Sequence, residues 1–343
     1  MRWIIPHPFF GYVLHNQKNI NNFGFHTPDD FPYQLKNEEL VVGVFGASVA
    51  QQLAHYLMET TNELMVNVCN AQKKIKFINF AIQTQRQPQA FQIFHAYGDQ
   101  LDLAINLDGN NEIRHFPVDG NPREYPFAYE YLYQVTQEKQ KELEHIYFLQ
   151  KWQFKLIHLS KKFSFFDKSE LYFKINFSIV RFLQTFVKAA EKRIIRMSIG
   201  PIKPENKYRN DQDSLRIWKK YTILQSAVAR KFSVPLISFI QPTQYLPDSK
   251  IFSEEERKVA ILDDVATLSK LATKWNLLGE SIGEIKKSGA NIVDLRKVFA
   301  GVSEPIFVDT CCHVNRRGNE ILSKIVLEKI REQLKNVNCS RFK

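Results

Sequence analysis

Ser48, Asn111, Asp309 and His313 follow one another along the chain, each at the edge of an apolar run, and they are the residue types of acyl transfer. A serine hydroxyl is a weak nucleophile until an imidazole takes its proton, and the imidazole works best when a carboxylate fixes its tautomer. A carboxamide can donate to the oxyanion of a tetrahedral intermediate. Ser48 closes Gly46-Ala47-Ser48 after the run Leu40 to Phe45. Asn111 lies in Asp108-Gly-Asn-Asn-Glu112, and Asp309 and His313 lie in Phe307-Val-Asp-Thr-Cys-Cys-His313. Singly, each has an ordinary structural explanation: a serine before a helix caps it, asparagines favour turns, and a lone histidine is usually structural. The four in order, each beside a strand end or a helix start, point to chemistry.

The surrounding elements predict where these residues stand. Leu40–Phe45, Ile75–Ile82, Leu101–Leu107, Val234–Ile240 and Asn291–Leu295 read as short buried strands. Helical stretches follow at Val49–Met65, Ser214–Lys231 and Asn315–Leu334, the last with Ile321, Leu322, Ile325 and Val326 on one face. Pro88 suits the first turn of a further helix, whose buried face Phe91, Ile93 and Phe94 supply. Buried strands alternating with helices predict an α/β fold with a parallel, five-stranded sheet covered on both faces. In open sheets of this kind ligands bind outside the carboxyl ends of the strands, where Ser48 and Asn111 fall.

With those blocks placed, the chain resembles the SGNH hydrolases, the superfamily of GDSL-type esterases and lipases. Gly46-Ala47-Ser48 stands at the family's Gly-Asp-Ser block, Asn79-Phe-Ala81 at its Asn-x-Gly block, Gly109-Asn110-Asn111-Glu112 at its Gly-x-Asn-Asp block, and Asp309 to His313 at its Asp-x-x-His block. Cys312 to Asn319 is similar to the family's approach to its last helix. Pro8-Phe-Phe-Gly-Tyr12 and Gln241-Pro-Thr-Gln-Tyr245 are similar to segments of a poorly characterised bacterial branch. The resemblance implies one domain over 1–343 with a three-layer, flavodoxin-like fold. It also implies acyl-ester hydrolysis with Ser48 as nucleophile, His313 as base, Asp309 orienting the imidazole, and Ser48, Ala81 and Asn111 as the oxyanion hole. No cofactor or metal is implied. An O-acyltransferase with the same site, or a binding protein without turnover, are the alternatives. Three residues differ from the pattern: Ala47 replaces the acid of the first block, Ala81 replaces glycine, and three residues instead of two separate Asp309 from His313.

Composition sets the bounds. With 343 residues, 44% hydrophobic and 24% charged, the chain is neither disordered nor collagenous. The most apolar windows, such as Phe177–Val187, are broken by Arg181 and Gln184, so no spanning segment or signal peptide is expected. Cys69, Cys311, Cys312 and Cys339 are too few for a disulfide scaffold and lack metal-ligand spacing, which predicts thiols in a reducing compartment. The default is a cytoplasmic protein. Related sequences often carry a membrane anchor upstream, which would make it extracytoplasmic. The net charge of +11 is concentrated: Lys151–Gly200 holds eleven Lys/Arg against three Asp/Glu. This stretch lies within 121–213, a basic, aromatic-rich segment read as a helical insertion that serves as a solvated cap, a lid, or a contact to anionic membrane surfaces. It carries no recognisable nucleic-acid motif, so no nucleic-acid partner is expected. The expected substrate is a small-molecule, glycan or lipid acyl ester.

Overall fold

The computed structural model describes residues 4–7, 9–15, 19–61, 63–113, 143–152, 155, 178–179, 181–190, 211–335, 337 and 339. The chain divides into two compact units, Met1–Pro126 with Asn206–Lys343, and Phe127–Glu205. Much of the expected insertion at 121–213 lies outside the described residues. In the second unit, residues 143–152 and 181–190 are helical, with Ile146, Val187 and Ala190 buried together.

The first unit begins with an antiparallel ribbon of β1 (Ile4–His7) and β2 (Gly11–Leu14). Next come β3 (Glu39–Gly46), α1 (Ser48–Thr60), β4 (Met65–Val68), β5 (Ala71–Asn79), α2 (Gln89–Tyr97), β6 (Leu103–Asp108) and the short α3 (Asn110–Ile113). The unit resumes with α4 (Asp211–Phe232), β7 (Leu236–Ile240), α5 (Glu254–Ala260), α6 (Val265–Lys287), β8 (Ile292–Asp294) and α7 (Arg316–Leu334). The sheet order is β4-β5-β3-β6-β7-β8. The strands β5, β3, β6, β7 and β8 are mutually parallel. The first parallel strand of the chain, β3, therefore sits between the second, β5, and the third, β6. This is the strand order of a doubly wound sheet, and its crevice opens beyond the carboxyl ends of β3 and β6.

Apolar side chains explain why the sheet is covered. Every residue of β6 and all but the first of β3 are buried. Alternate residues part to opposite faces, as the pleat requires. Val42, Val44, Leu103, Ile105, Ile237 and Phe239 pack with Leu53 and Leu57 of α1 and with Leu322, Val326 and Ile330 of α7. Ile240 and Ile292 pack with Trp218 of α4 and with Leu271, Trp275 and Leu278 of α6. Helices thus flank the sheet, which is compatible with a three-layer α/β fold.

The sheet is mixed, not purely parallel, and it has six strands where five were expected. The helix expected to run to Met65 ends at Thr60, and Met65–Val68 folds back as an antiparallel edge strand on β5. Its burial alternates, with Val66 and Val68 inside, which is a strand pattern too short to stand out beside an apolar helix. The two-residue turn Cys69-Asn70 has φ of 53° and 67°, the paired positive values of a tight hairpin. Cys69 is joined to Cys339 by a disulfide with Cα atoms 5.6 Å apart, so the expectation of four thiols is corrected. A sequence separation of 270 leaves no local spacing from which that pairing could be read.

The disulfide pins an edge hairpin to the chain beyond α7. Reduction, or Cys69→Ala with Cys339→Ala, should lower unfolding stability by about 2–5 kcal/mol. The check is a denaturant titration in which reductant shifts the midpoint of the wild type and leaves that of the double variant in place.

Candidate active site

Ser48 is the first residue of α1, immediately beyond β3. The chain turns sharply there because Gly46 adopts φ +132°, where a β-carbon would lie 2.4 Å from the Leu107 carbonyl oxygen and 2.8 Å from the Ala50 β-carbon. The cap position belongs to Ala47, whose side chain makes no capping hydrogen bond. Ser48 therefore does not serve as the cap, and the first turn of α1 keeps its outward N–H groups and the positive end of the helix dipole at the hydroxyl.

That hydroxyl lies 2.7 Å from His313 Nε2, and His313 Nδ1 lies 2.6 Å from Asp309 Oδ2. With the carboxylate accepting at Nδ1–H, Nε2 is left to accept from the serine O–H. The longer Asp–His spacing is taken up inside the loop. Cys312 adopts φ +66°, and Asp309 Oδ1 accepts from the N–H of Cys311 at 2.7 Å and of His313 at 3.2 Å. The loop closes as a small hairpin: Phe307 bridges Val314, and the Val308 N–H donates to the His313 carbonyl at 3.0 Å. Asn315 then caps α7 through the Gly318 N–H at 2.9 Å. Partial burial raises the Asp309 carboxyl, but the His313 ring and the Cys311 N–H outweigh it and hold the group below the usual carboxylate range.

The loop is gripped from outside by the Gln241–Tyr245 segment, noted in the sequence without a role, and by a buried ion pair that the sequence did not reveal. Gln244 Nε2 donates to the Asp309 carbonyl at 3.0 Å, the Tyr245 hydroxyl donates to the Thr310 carbonyl, and Gln241 Nε2 lies 3.0 Å from Cys312 Sγ. Deeper, Lys250 and Glu256 form an ion pair at 3.0 Å with both side chains fully buried. The Lys250 ammonium donates to the carbonyls of Ile251, Val302 and Glu304, while Glu256 Oε1 accepts from the N–H groups of Ile306 and Phe307. Every one of these bonds to the loop crosses about 50 residues or more of sequence, apart from Lys250 to Ile251.

The remaining expected residues have other partners. The Ala81 N–H donates to Asn79 Oδ1 at 2.9 Å. Asn111 Nδ2 donates to the Gln85 carbonyl at 2.9 Å. It is the neighbouring Asn110 whose Nδ2 reaches toward the histidine loop, 3.5 Å from Cys311 Sγ. The turn that carries both asparagines is set by Gly109, where a β-carbon would strike Gln241 at 2.5 Å and Trp275 at 2.8 Å. Beside it, Asp108 Oδ2 accepts from Asn106 Nδ2 at 2.6 Å and from Gln87 Nε2 and Trp218 Nε1, both at 3.2 Å. Glu112 Oε2 accepts from the Gly109 N–H at 2.7 Å and Oε1 from the Gln87 N–H at 3.3 Å. Burial pushes both carboxyls up, Asp108 to about 6 and Glu112 to about 8, the second also raised by the charge of the first. Among the described residues, no group of three or more His, Cys, Asp or Glu side chains could hold a metal ion.

No protein-family model and no curated protein matches the chain. Among solved structures, it is similar to the crystal structure of the lipase/acylhydrolase from Enterococcus faecalis. That alignment has a TM-score of 0.36 and 8% identity, and it covers 86% of this chain and 96% of that one.

The Asp108–Glu112 pair imposes a pH dependence of known sign. In the unfolded chain both carboxyls ionise near pH 4, whereas the fold keeps them protonated to about pH 6 and 8. The folded state then binds more protons, so this pair's contribution to stability falls as pH rises from about 4 to 8 and levels off above. Asp108→Asn can keep all three donors on one oxygen and removes the charge that opposes ionisation of Glu112. Thermal unfolding across pH 5 to 9 should show a shallower decline for this variant than for the wild type.

Proposed function

We propose that the protein is a serine-dependent acyl-ester hydrolase of the SGNH, GDSL-type superfamily, working through an acyl-serine intermediate. The observation that carries this reading is the chain of contacts from Ser48 Oγ to His313 Nε2 at 2.7 Å and from His313 Nδ1 to Asp309 Oδ2 at 2.6 Å. It lies outside the carboxyl ends of β3 and β6, where the strand order reverses.

In the proposed reaction Ser48 Oγ attacks the ester carbonyl carbon while His313 takes the hydroxyl proton. The carbonyl electron pair moves to oxygen and makes an oxyanion. As the tetrahedral intermediate collapses, the imidazolium gives its proton to the departing alcohol and Ser48 keeps the acyl group. Water, deprotonated by the same imidazole, then attacks the acyl-serine, releasing the acid and restoring the hydroxyl. Asp309 stays ionised and stabilises the imidazolium. The oxyanion donors are the Ser48 N–H, the Asn111 carboxamide, which has a second N–H besides the one on Gln85, and the Ala81 N–H. The last must leave Asn79 Oδ1 to serve, so we propose it as an exchangeable donor. Each such donor contributes roughly 3–4 kcal/mol to the transition state. We further place the working protein in an oxidising compartment, because a disulfide such as Cys69–Cys339 persists there and is reduced in the cytosol.

A fluorophosphonate probe should label the wild type and leave Ser48→Ala unlabelled. Ser48→Ala and His313→Ala should each lower turnover of a short-chain aryl ester by about 10⁴-fold or more, and Asp309→Asn by about 10²–10⁴-fold. A folded wild type that takes up no probe and turns over no ester rules out the reading.

A further inference from the structure

The two helical stretches of Phe127–Glu205 bury a small face and turn a large aromatic one outward. Ile146, with Leu149 beside it, packs against Val187 and Ala190. On the exposed surface of the first helix stand Tyr147, Phe148 and Trp152, which are 59%, 56% and 47% exposed. On the second, Phe182 and Phe186 are 63% and 45% exposed, one turn apart with their rings 4.8 Å apart. Phe148 and Trp152 make the same spacing and an edge contact at 6.2 Å.

These helices thus reverse the usual surface pattern, in which the side facing away from the packed face is polar. Exposed aromatic rings in such a cluster mark a contact surface. Charge identifies the partner. At 100° per residue, Lys151 and Lys155 fall between Tyr147 and Trp152 on the aromatic face itself, and the Lys155 ammonium sits 5.5 Å from the centre of the Trp152 ring. Glu144 is the acid that shares this face, and Lys188, exposed on the second helix, lies more than 100° around it from Phe182 and Phe186. The sequence from Lys151 to Gly200 carries eleven basic and three acidic residues. Large aromatic rings interleaved with lysines suit the interfacial zone of an anionic bilayer: rings enter the acyl boundary while ammonium groups meet lipid phosphates. Among the described residues, no helix is long and apolar enough to cross a membrane, so the contact is with the surface.

We propose that Tyr147, Phe148, Trp152, Phe182 and Phe186, with Lys151 and Lys155, form a docking face for an anionic lipid bilayer. The inference does not depend on the ester-hydrolase reading, because the docking face and the Ser48 contacts are tested by different readouts.

The test is co-sedimentation of the full chain with vesicles of phosphatidylcholine alone and of phosphatidylcholine with phosphatidylglycerol, across salt concentrations. Binding should be confined to the anionic vesicles and weaken with salt. The exposed triple variant Phe148→Ser, Trp152→Ser, Phe182→Ser should lose roughly tenfold or more in partitioning. Replacing Lys151 or Lys155 by glutamine should lose about fivefold in each case. Fluorophosphonate labelling in solution should be the same in these variants as in the wild type, which separates this proposal from the catalytic one. No vesicle binding, equal binding to both lipid compositions, or binding that survives the triple variant would overturn the proposal. So would self-association, or binding to duplex DNA in place of vesicles, that the triple variant abolishes.

Discussion

The carboxylate of Asp309 does two jobs at once, and the geometry at Ser48 depends on both. Oδ1 takes the N–H groups of Cys311 and His313 and so shapes the loop, while Oδ2 takes the imidazole that the loop carries. Because one rigid group makes both sets of bonds, loop shape and ring orientation cannot vary independently. The extra residue in the Asp–His spacing is absorbed at Cys312, which adopts φ +66° so that the His313 N–H still points back to the same oxygen. Without that carboxylate the ring would have rotational freedom, and the 2.7 Å contact to Ser48 would be one arrangement among several.

The loop in turn is held by groups that lie deep in the protein. A buried charge is tolerated only with a partner and hydrogen bonds for its remaining sites. Lys250 and Glu256 meet both conditions through the backbone that leads to Asp309, so the groups satisfying the ion pair are the groups it positions. Removing either partner would leave the other buried and would free the segment 302–307. On the serine side the constraint is steric: β3 ends at a glycine because the Leu107 carbonyl occupies the space of a side chain. Ser48 and His313 therefore come from segments fixed by different means, one by close packing of the sheet and one by polar bonds to the loop.

What could be read from the sequence follows the same division. Of the five parallel strands, β3, β6 and β7 stood out as runs of Val, Ile, Leu and Phe, since burial on both faces leaves a continuous apolar signature. Ser48 and His313 stood out because a strand end and a helix start are local patterns. The structure brings those two together with Asp309, whereas Ala81 and Asn111 bond elsewhere. That Asn110, and not the expected Asn111, reaches toward the histidine loop depends on how the chain passes from Gly109 into α3, which residue type does not encode. β4 was hidden because four alternating residues beside an apolar helix carry little periodic signal. The Cys69–Cys339 bridge, the bonds of Lys250 and Glu256 to residues 302–307, and the Gln244 and Tyr245 contacts all join residues far apart in sequence, so nothing near any of them announced its partner.

Carboxyl groups of one chemical kind are driven in opposite directions on the two sides of the crevice. Asp309 is only partly buried and surrounded by donors, and its affinity for a proton falls below the ordinary range. Asp108 and Glu112 are buried together, and theirs rises. The proposed reaction requires this sorting. An imidazolium forms beside Asp309, and a negative charge there stabilises it. An oxyanion would form near the first turn of α1 and the Asn111 carboxamide, and two ionised carboxylates flanking the Gly109–Asn111 turn would oppose it. Near neutral pH Asp108 is ionised and its charge keeps Glu112 protonated, so the pair adds one negative charge instead of two to the side where negative charge would develop, while Glu112 still accepts the Gly109 and Gln87 N–H groups that hold the turn.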